Sequence, residues 1–143
     1  MVETQEQISE IEALRVHCVA LEEDIAHLKK HDQLTGLLNR TPFTGLVDEA
    51  LATSKSKGKL SAMLEFGVRG LPQITGSLGR HASDYVIAAL ASRLNLDPPA
   101  GSLCCRLDYW SFAVFLPQVD DALQAMTIAK RVIEKLSEPV PSG

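Results

Sequence analysis

Four adjacent residues, Asp108, Tyr109, Trp110 and Ser111, bring a carboxylate, a phenol, an indole N–H and a hydroxyl together in one short stretch. Aromatics on a turn are the residue type that anchors protein interfaces. Metal chemistry has less support. Cys104 and Cys105 are neighbours, so on a strand their thiols point to opposite faces and do not share an ion. His27 and His31 stand four apart, as helical ligands do, but no third ligand accompanies them, and a solvated helix end is the simpler reading. Three cysteines make no disulfide framework. They read as buried, reduced thiols, which suits a cytoplasmic location.

The elements that must position these groups follow from periodicity. Ile11, Leu14, Cys18, Leu21, Ile25 and Leu28 alternate steps of three and four, with no Gly or Pro before residue 31. That spacing predicts one helix with a coiled-coil seam. Acids crowd its start and Lys29 and Lys30 its end, as the helix dipole favours. The stripe packs either on its own domain or, the favoured reading, in a parallel two-stranded coil that makes the protein a homodimer. A second helix is expected to open with Thr41 as cap and Pro42 in the first turn, burying Phe43, Leu46, Val47, Ala50 and Leu51. Residues 54–59 read as a turn and 60–68 as an apolar, central strand. A Gly- and Pro-punctuated segment, 69–79, leads to a helix over 83–94 with Val86, Ile87, Leu90 and Leu94 inward. Residues 103–107 and 112–116 form a hairpin. A last helix over 120–136 buries Leu123, Met126, Ile128, Ala129, Val132, Ile133 and Leu136. The order predicts an α+β fold with helices over an antiparallel sheet.

Composition bounds the function. The chain has 143 residues, 45% hydrophobic, enough for one domain plus an appendage and too apolar for a disordered chain. With 14 basic against 18 acidic residues, it lacks the Lys and Arg excess that nucleic-acid binding needs. Residues 1–31 hold seven acids and three bases, so the whole net charge of -4 sits in the appendage. No apolar run approaches the roughly 20 residues of a membrane span, and the acidic start lacks the layout of a signal peptide.

The stretch HDQLTGLLNR resembles the D-x-L-T-G-L-x-N-R opening of GGDEF domains, the diguanylate cyclase family, at Asp32, Leu34, Thr35, Gly36, Leu37, Asn39 and Arg40. The strand at Phe66 then stands where the family has L-D-x-D-x-F-K-x-I-N-D-x-x-G-H-x-x-G-D, and RLDYWSF (residues 106–112) where it has R-x-G-G-D-E-F. The resemblance implies an antiparallel, nucleotidyl cyclase-like domain with a ferredoxin-like core over residues 32–143, preceded by a coiled-coil helix over 1–31. The family continues past its last helix into a strand beside the first strand. Residues 137–143 resemble the lead-in to that strand in domains fused to EAL phosphodiesterases, so an EAL domain or another signalling protein is an expected partner. Either the sequence is a fragment of a longer protein of the GGDEF-EAL type or the domain is shortened; a shortened domain leaves the 60–68 strand as an apolar edge, expected to be covered by a partner chain or a rearranged tail.

In active relatives two GTP-loaded domains join their nucleotides into cyclic di-GMP, with divalent metal held by carboxylates. The resemblance places Gly67 and Trp110 at the two metal-carboxylate positions, Arg69 at the strand's second Asp, and Ser111 at the acidic fourth position of the signature. Asp108 and Tyr109 stand at the signature glycines, where only a bare backbone lets a nucleotide approach closely. Pro72, Thr75 and Arg80 replace a Lys, a guanine-reading Asn and a His; residues 99–102 lack the R-x-x-D of a product-inhibition site. The degenerate signature is thus Asp108, Tyr109, Trp110, Ser111 and Phe112. Only Asp84 and Arg106 remain as nucleotide-site candidates. Asp84 equally suits a helix cap or first-turn acid, and Arg106 a strand ion pair. Tyr109 and Trp110 are expected to fold back into the vacated cleft or to meet a partner protein. No catalytic residue, metal ligand or cofactor is expected, and a GTP-sensing allosteric domain is the alternative.

Overall fold

A computed structural model describes residues 4–141, except for the side chains of residues 26–29. The first helix, α1 (Gln5–Lys30), keeps its seam open: Ile11, Leu14, Leu21 and Ile25 are exposed, Leu14 to 63%. The stripe therefore does not pack on its own domain. Cys18, expected to be buried, is exposed on the same helix. Leu28 and His27 fall among the side chains outside the description.

After α1 the chain folds into a tight turn. Gly36 adopts φ +73°, a left-handed conformation that Gly reaches without a Cβ penalty, and its amide donates to the Asp32 carbonyl at 2.7 Å. Leu38 then bonds to both sides of Cys105, through the Cys104 carbonyl and the Arg106 amide. The segment is thereby tied to the outer edge of the sheet.

Helix α2 (Arg40–Ser56) starts two residues earlier than expected: Asn39, in extended backbone, is the cap position, and Thr41 lies inside the helix. Only Phe43, Val47 and Ser54 are buried; Leu46 and Leu51 face solvent, because a single helix lying on a sheet covers a narrower stripe. The helix also continues through Ser56, which shortens the expected turn to residues 57–59.

The sheet contains β1 (Leu60–Gly67), β2 (Leu103–Asp108) and β3 (Ser111–Val119), antiparallel in the order β1-β3-β2. The central strand is thus β3, whose residues 112–116 are all buried, and not the 60–68 strand. Pro117 sits inside β3 because the pairing with β1 is irregular between Leu60 and Ala62. Its carbonyl accepts from the Ser61 hydroxyl at 2.8 Å and from that of buried Ser54. The two sheet faces bury different cores. Phe43 and Val47 of α2 pack with Cys105, Ala113 and Phe115 on one face. Phe112, Val114 and Leu116 meet Leu71, Ile87, Leu90, Leu94 and Val132 on the other. Cys104 joins this second core, so the adjacent thiols do point to opposite faces.

The punctuated segment contains a helix that periodicity misses, α3 (Leu71–Leu78), with Leu71 fully buried. Gly79, at φ +86°, separates it from α4 (Arg80–Leu96). Helix α5 (Ala122–Leu136) is capped by Asp121, which accepts from the Gln124 amide at 2.8 Å. It turns Ala125, Ile128, Val132 and Leu136 inward, whereas Leu123, Met126 and Ile133, expected in the core, are exposed, Leu123 to 70%. Among the described residues no strand pairs with the outer edge of β1. The described part of the tail adds no strand there; Arg93 of α4 binds it through the carbonyls of Leu136, Glu138 and Pro139.

Candidate functional site

The β2–β3 turn is closed by its own side chains. Asp108 pairs with Ser111 across the hairpin, which leaves Tyr109 and Trp110 as the two turn residues. One Asp108 oxygen accepts from the Trp110 amide and the Ser111 hydroxyl, both at 2.8 Å. The Ser111 hydroxyl and then the Trp110 amide hold the Asp108 carboxyl below its ordinary range. Past the end of β1, the Val68 amide donates to the Trp110 carbonyl at 2.8 Å, and Gly67 pairs with Ser111. The hairpin turn and the end of β1 thus converge at one end of the sheet.

Tyr109 reaches from this turn to the start of α4, where its hydroxyl donates to Asp84 at 2.8 Å. Burial and the Asp84 carboxylate both push the Tyr109 hydroxyl above its ordinary value. The guanidinium carbons of Arg80 and Arg106 lie 4.8 and 5.3 Å from its ring centroid, within cation–π range. Trp110 meets the ring edge-on at 4.9 Å and remains 40% exposed. Asp84 is the fifth residue of α4, past the cap and first turn, so the capping role open to it in sequence is not the one it takes.

Arg106 takes the ion-pair alternative. Its guanidinium contacts both Asp32 oxygens at 3.1 and 3.2 Å, and Asp32 also accepts from the Thr35 amide and hydroxyl at 2.9 and 2.8 Å. Burial alone would raise the Asp32 carboxyl; the Thr35 donors and Arg106 outweigh it and hold the group low. The Arg106 Nε is buried without a protein partner among the described residues. The Thr75 hydroxyl is likewise engaged, donating to the Leu71 carbonyl at 3.0 Å and sharing a bond with Ser83. The structure therefore gathers Asp84, Arg106 and Tyr109, together with Arg80 and Asp32. For Asp32 a signal existed in the Asp-x-x-Thr spacing of an Asx-type turn. His31 stands just past the end of α1, and its Nδ1 lies 3.1 Å from the Gly36 carbonyl.

A three-stranded antiparallel sheet, helices on both faces and a hairpin turn at the end of β1 define a nucleotidyl cyclase-like α+β domain. Residues 29–143 match the family described as diguanylate cyclase, GGDEF domain, and the chain belongs to that family. It is 28% identical over 133 residues to the diguanylate cyclase TpbB of Pseudomonas aeruginosa, across 93% of this chain and 31% of that protein. The chain thus spans about a third of the length of that curated relative. Its fold is similar to a sensory box/GGDEF family protein from Caulobacter crescentus, with TM-score 0.74 and 30% identity over 79% of this chain and 73% of that one. The coiled coil and GGDEF domain of DgcB from the same organism, solved with c-di-GMP, shares the fold with TM-score 0.72 at 23% identity, over 90% of this chain and 65% of that one. Among the described residues no helix is long and apolar enough to cross a membrane.

Proposed function

We propose that this GGDEF domain is a catalytically inactive, dimeric regulatory or interaction module of cyclic di-GMP signalling, located in the cytoplasm. The observation that carries this reading is the Tyr109 hydroxyl on Asp84. By resemblance Asp84 is the one guanine-reading residue left, and a side chain from the signature's second glycine position now occupies its carboxylate. Asp108, at the first glycine position, is consumed in closing its own turn.

The divalent metal implied by the family does not fit the donors present. Gly67 has no side chain, Trp110 offers only an indole N–H, and the Ser111 hydroxyl donates to Asp108. Mg²⁺ wants carboxylate and water oxygens in near-octahedral geometry, which this set does not supply. Leaving several polar groups of a bound nucleotide unpartnered costs about 1–3 kcal/mol each. The fitting role is a partner-facing one: α1 joins two copies at residues 1–31, residues 32–143 form the module, and an EAL domain or another signalling protein receives its output. Nucleic acid and membrane play no part in this reading.

The second reading, a GTP-sensing domain without turnover, has Asp84 and Arg106 in its favour, both near Tyr109. Calorimetry with GTP separates the two. No heat of binding up to millimolar GTP is expected of the inactive module, and micromolar affinity would replace it with the sensor.

A further inference from the structure

We propose that the β2–β3 turn is a docking surface for an acidic segment of a partner protein, with Trp110 as its apolar anchor and Arg69 and Arg80 as its cationic frame. This rests on the partner-facing reading above and adds the surface and the chemistry it recognises. Trp110 is already held in place. Its amide donates to Asp108 and its carbonyl accepts from the Val68 amide, both at 2.8 Å, and its ring meets Tyr109 edge-on at 4.9 Å. The side chain is nevertheless exposed. An aromatic fixed in this way loses little freedom on binding, which is the property of an interface anchor.

The charges beside it decide what kind of segment fits. The three carboxylates next to the turn are engaged: Asp32 binds Arg106 and Thr35, Asp84 accepts from Tyr109, and Asp108 accepts from Ser111 and the Trp110 amide. The cations are not. Arg69 directly follows Val68, whose amide holds the Trp110 carbonyl, and the Arg80 guanidinium lies 4.8 Å from the Tyr109 ring centroid. The Asp108 carboxyl, held low first by Ser111, also feels the charge of Arg40 at the start of α2. Arg40, Arg69 and Arg80 are all exposed, and none forms an ion pair among the described residues. Guanidinium forks match carboxylates, and the indole face matches an aliphatic or aromatic side chain between them. A nucleic-acid backbone is a poorer match, because the chain carries 14 basic against 18 acidic residues and phosphates need a larger cationic surface.

The test selects short random peptides, displayed on phage, against the immobilised full chain. The enriched peptides are then titrated while the emission of Trp110, the chain's single Trp, is recorded. They should carry two or more acids around an Ile, Leu or Phe, bind at micromolar concentration and shift the emission to the blue. Arg69→Glu should weaken binding about tenfold, and Trp110→Ala about tenfold by calorimetry. Arg80→Gln, which removes a charge without adding one beside Asp84, should weaken it about threefold. Urea midpoints near that of the parent confirm that each variant is folded. No enrichment, or enrichment of sequences without acids, overturns the docking surface and leaves the inactive domain standing. Acidic peptides that bind the Arg69→Glu and Arg80→Gln variants as tightly as the parent overturn the cationic frame. A single-stranded oligonucleotide that binds more tightly than any peptide gives the surface to nucleic acid and overturns the proposal. An emission shift with micromolar GTP overturns both this surface and the reading on which it rests.

Discussion

Asp32 gathers two donors from Thr35 and one guanidinium from Arg106, and so fastens the family's opening motif to β2. Asp32→Ala strands Arg106, whose side chain is only 13% exposed, without its anion. The expected loss is about 1–2 kcal/mol in urea unfolding at neutral pH, below the cost of breaking a fully buried pair because Asp32 keeps some solvent contact. Its folded carboxyl titrates below the ordinary 3.8, so the contribution is complete above that value and disappears as pH falls through the folded one. The gap between parent and variant should therefore close in acid; a gap unchanged at pH 2 would contradict the pairing. Burial dominates for the thiols, pushing Cys105 up to about 11 and raising Cys104 as well. Both should resist maleimide at neutral pH until denaturant opens the sheet, as mass spectrometry of labelled peptides would show; rapid native labelling of Cys105 would contradict its burial. The opposed faces of these two cysteines were legible from strand alternation alone. The Tyr109–Asp84 bond was not, since it joins residues 25 apart through a juxtaposition of hairpin and helix that no local pattern records.

At the scale of elements, apolar spacing located four of the five helices and all three strands, but misjudged how much of each helix the sheet could cover. In α2 the sheet takes Phe43 and Val47 and leaves Leu46 and Leu51 outside. Phe43→Ala should cost about 3–5 kcal/mol, as for a large buried side chain, and Leu46→Ala less than about 1 kcal/mol. Comparable losses from chemical denaturation of the two variants would show that the helix is rotated from the orientation described. Helix α5 repeats the lesson, because its apolar residues wrap more than one face and only the one bearing Val132 meets the sheet. Helix α3 was hidden for another reason. Pro72, Gly76 and the flanking Gly70 and Gly79 are poor helix signals, yet Pro is tolerated in a first turn and Gly70 takes the left-handed cap at φ +80°. Leu71 fixes the short helix through burial rather than propensity.

The whole molecule separates two jobs that its net charge of -4 conceals. The acidic appendage presents an uncovered, charge-flanked seam, and the neutral domain keeps the GGDEF scaffold while its hairpin turn closes on itself. Sequence reached the scaffold because its opening motif is a turn with strict backbone demands, at Gly36 above all. The fate of the cleft was out of reach because it depends on where one tyrosine lands. The central claim is that this cleft no longer performs the family's chemistry. Its most direct test is incubation of the full chain with GTP and Mg²⁺, at a protein concentration where sedimentation shows it dimeric, followed by chromatographic detection of cyclic di-GMP. No product above the protein-free control is expected; steady accumulation of cyclic di-GMP in proportion to protein would contradict the account.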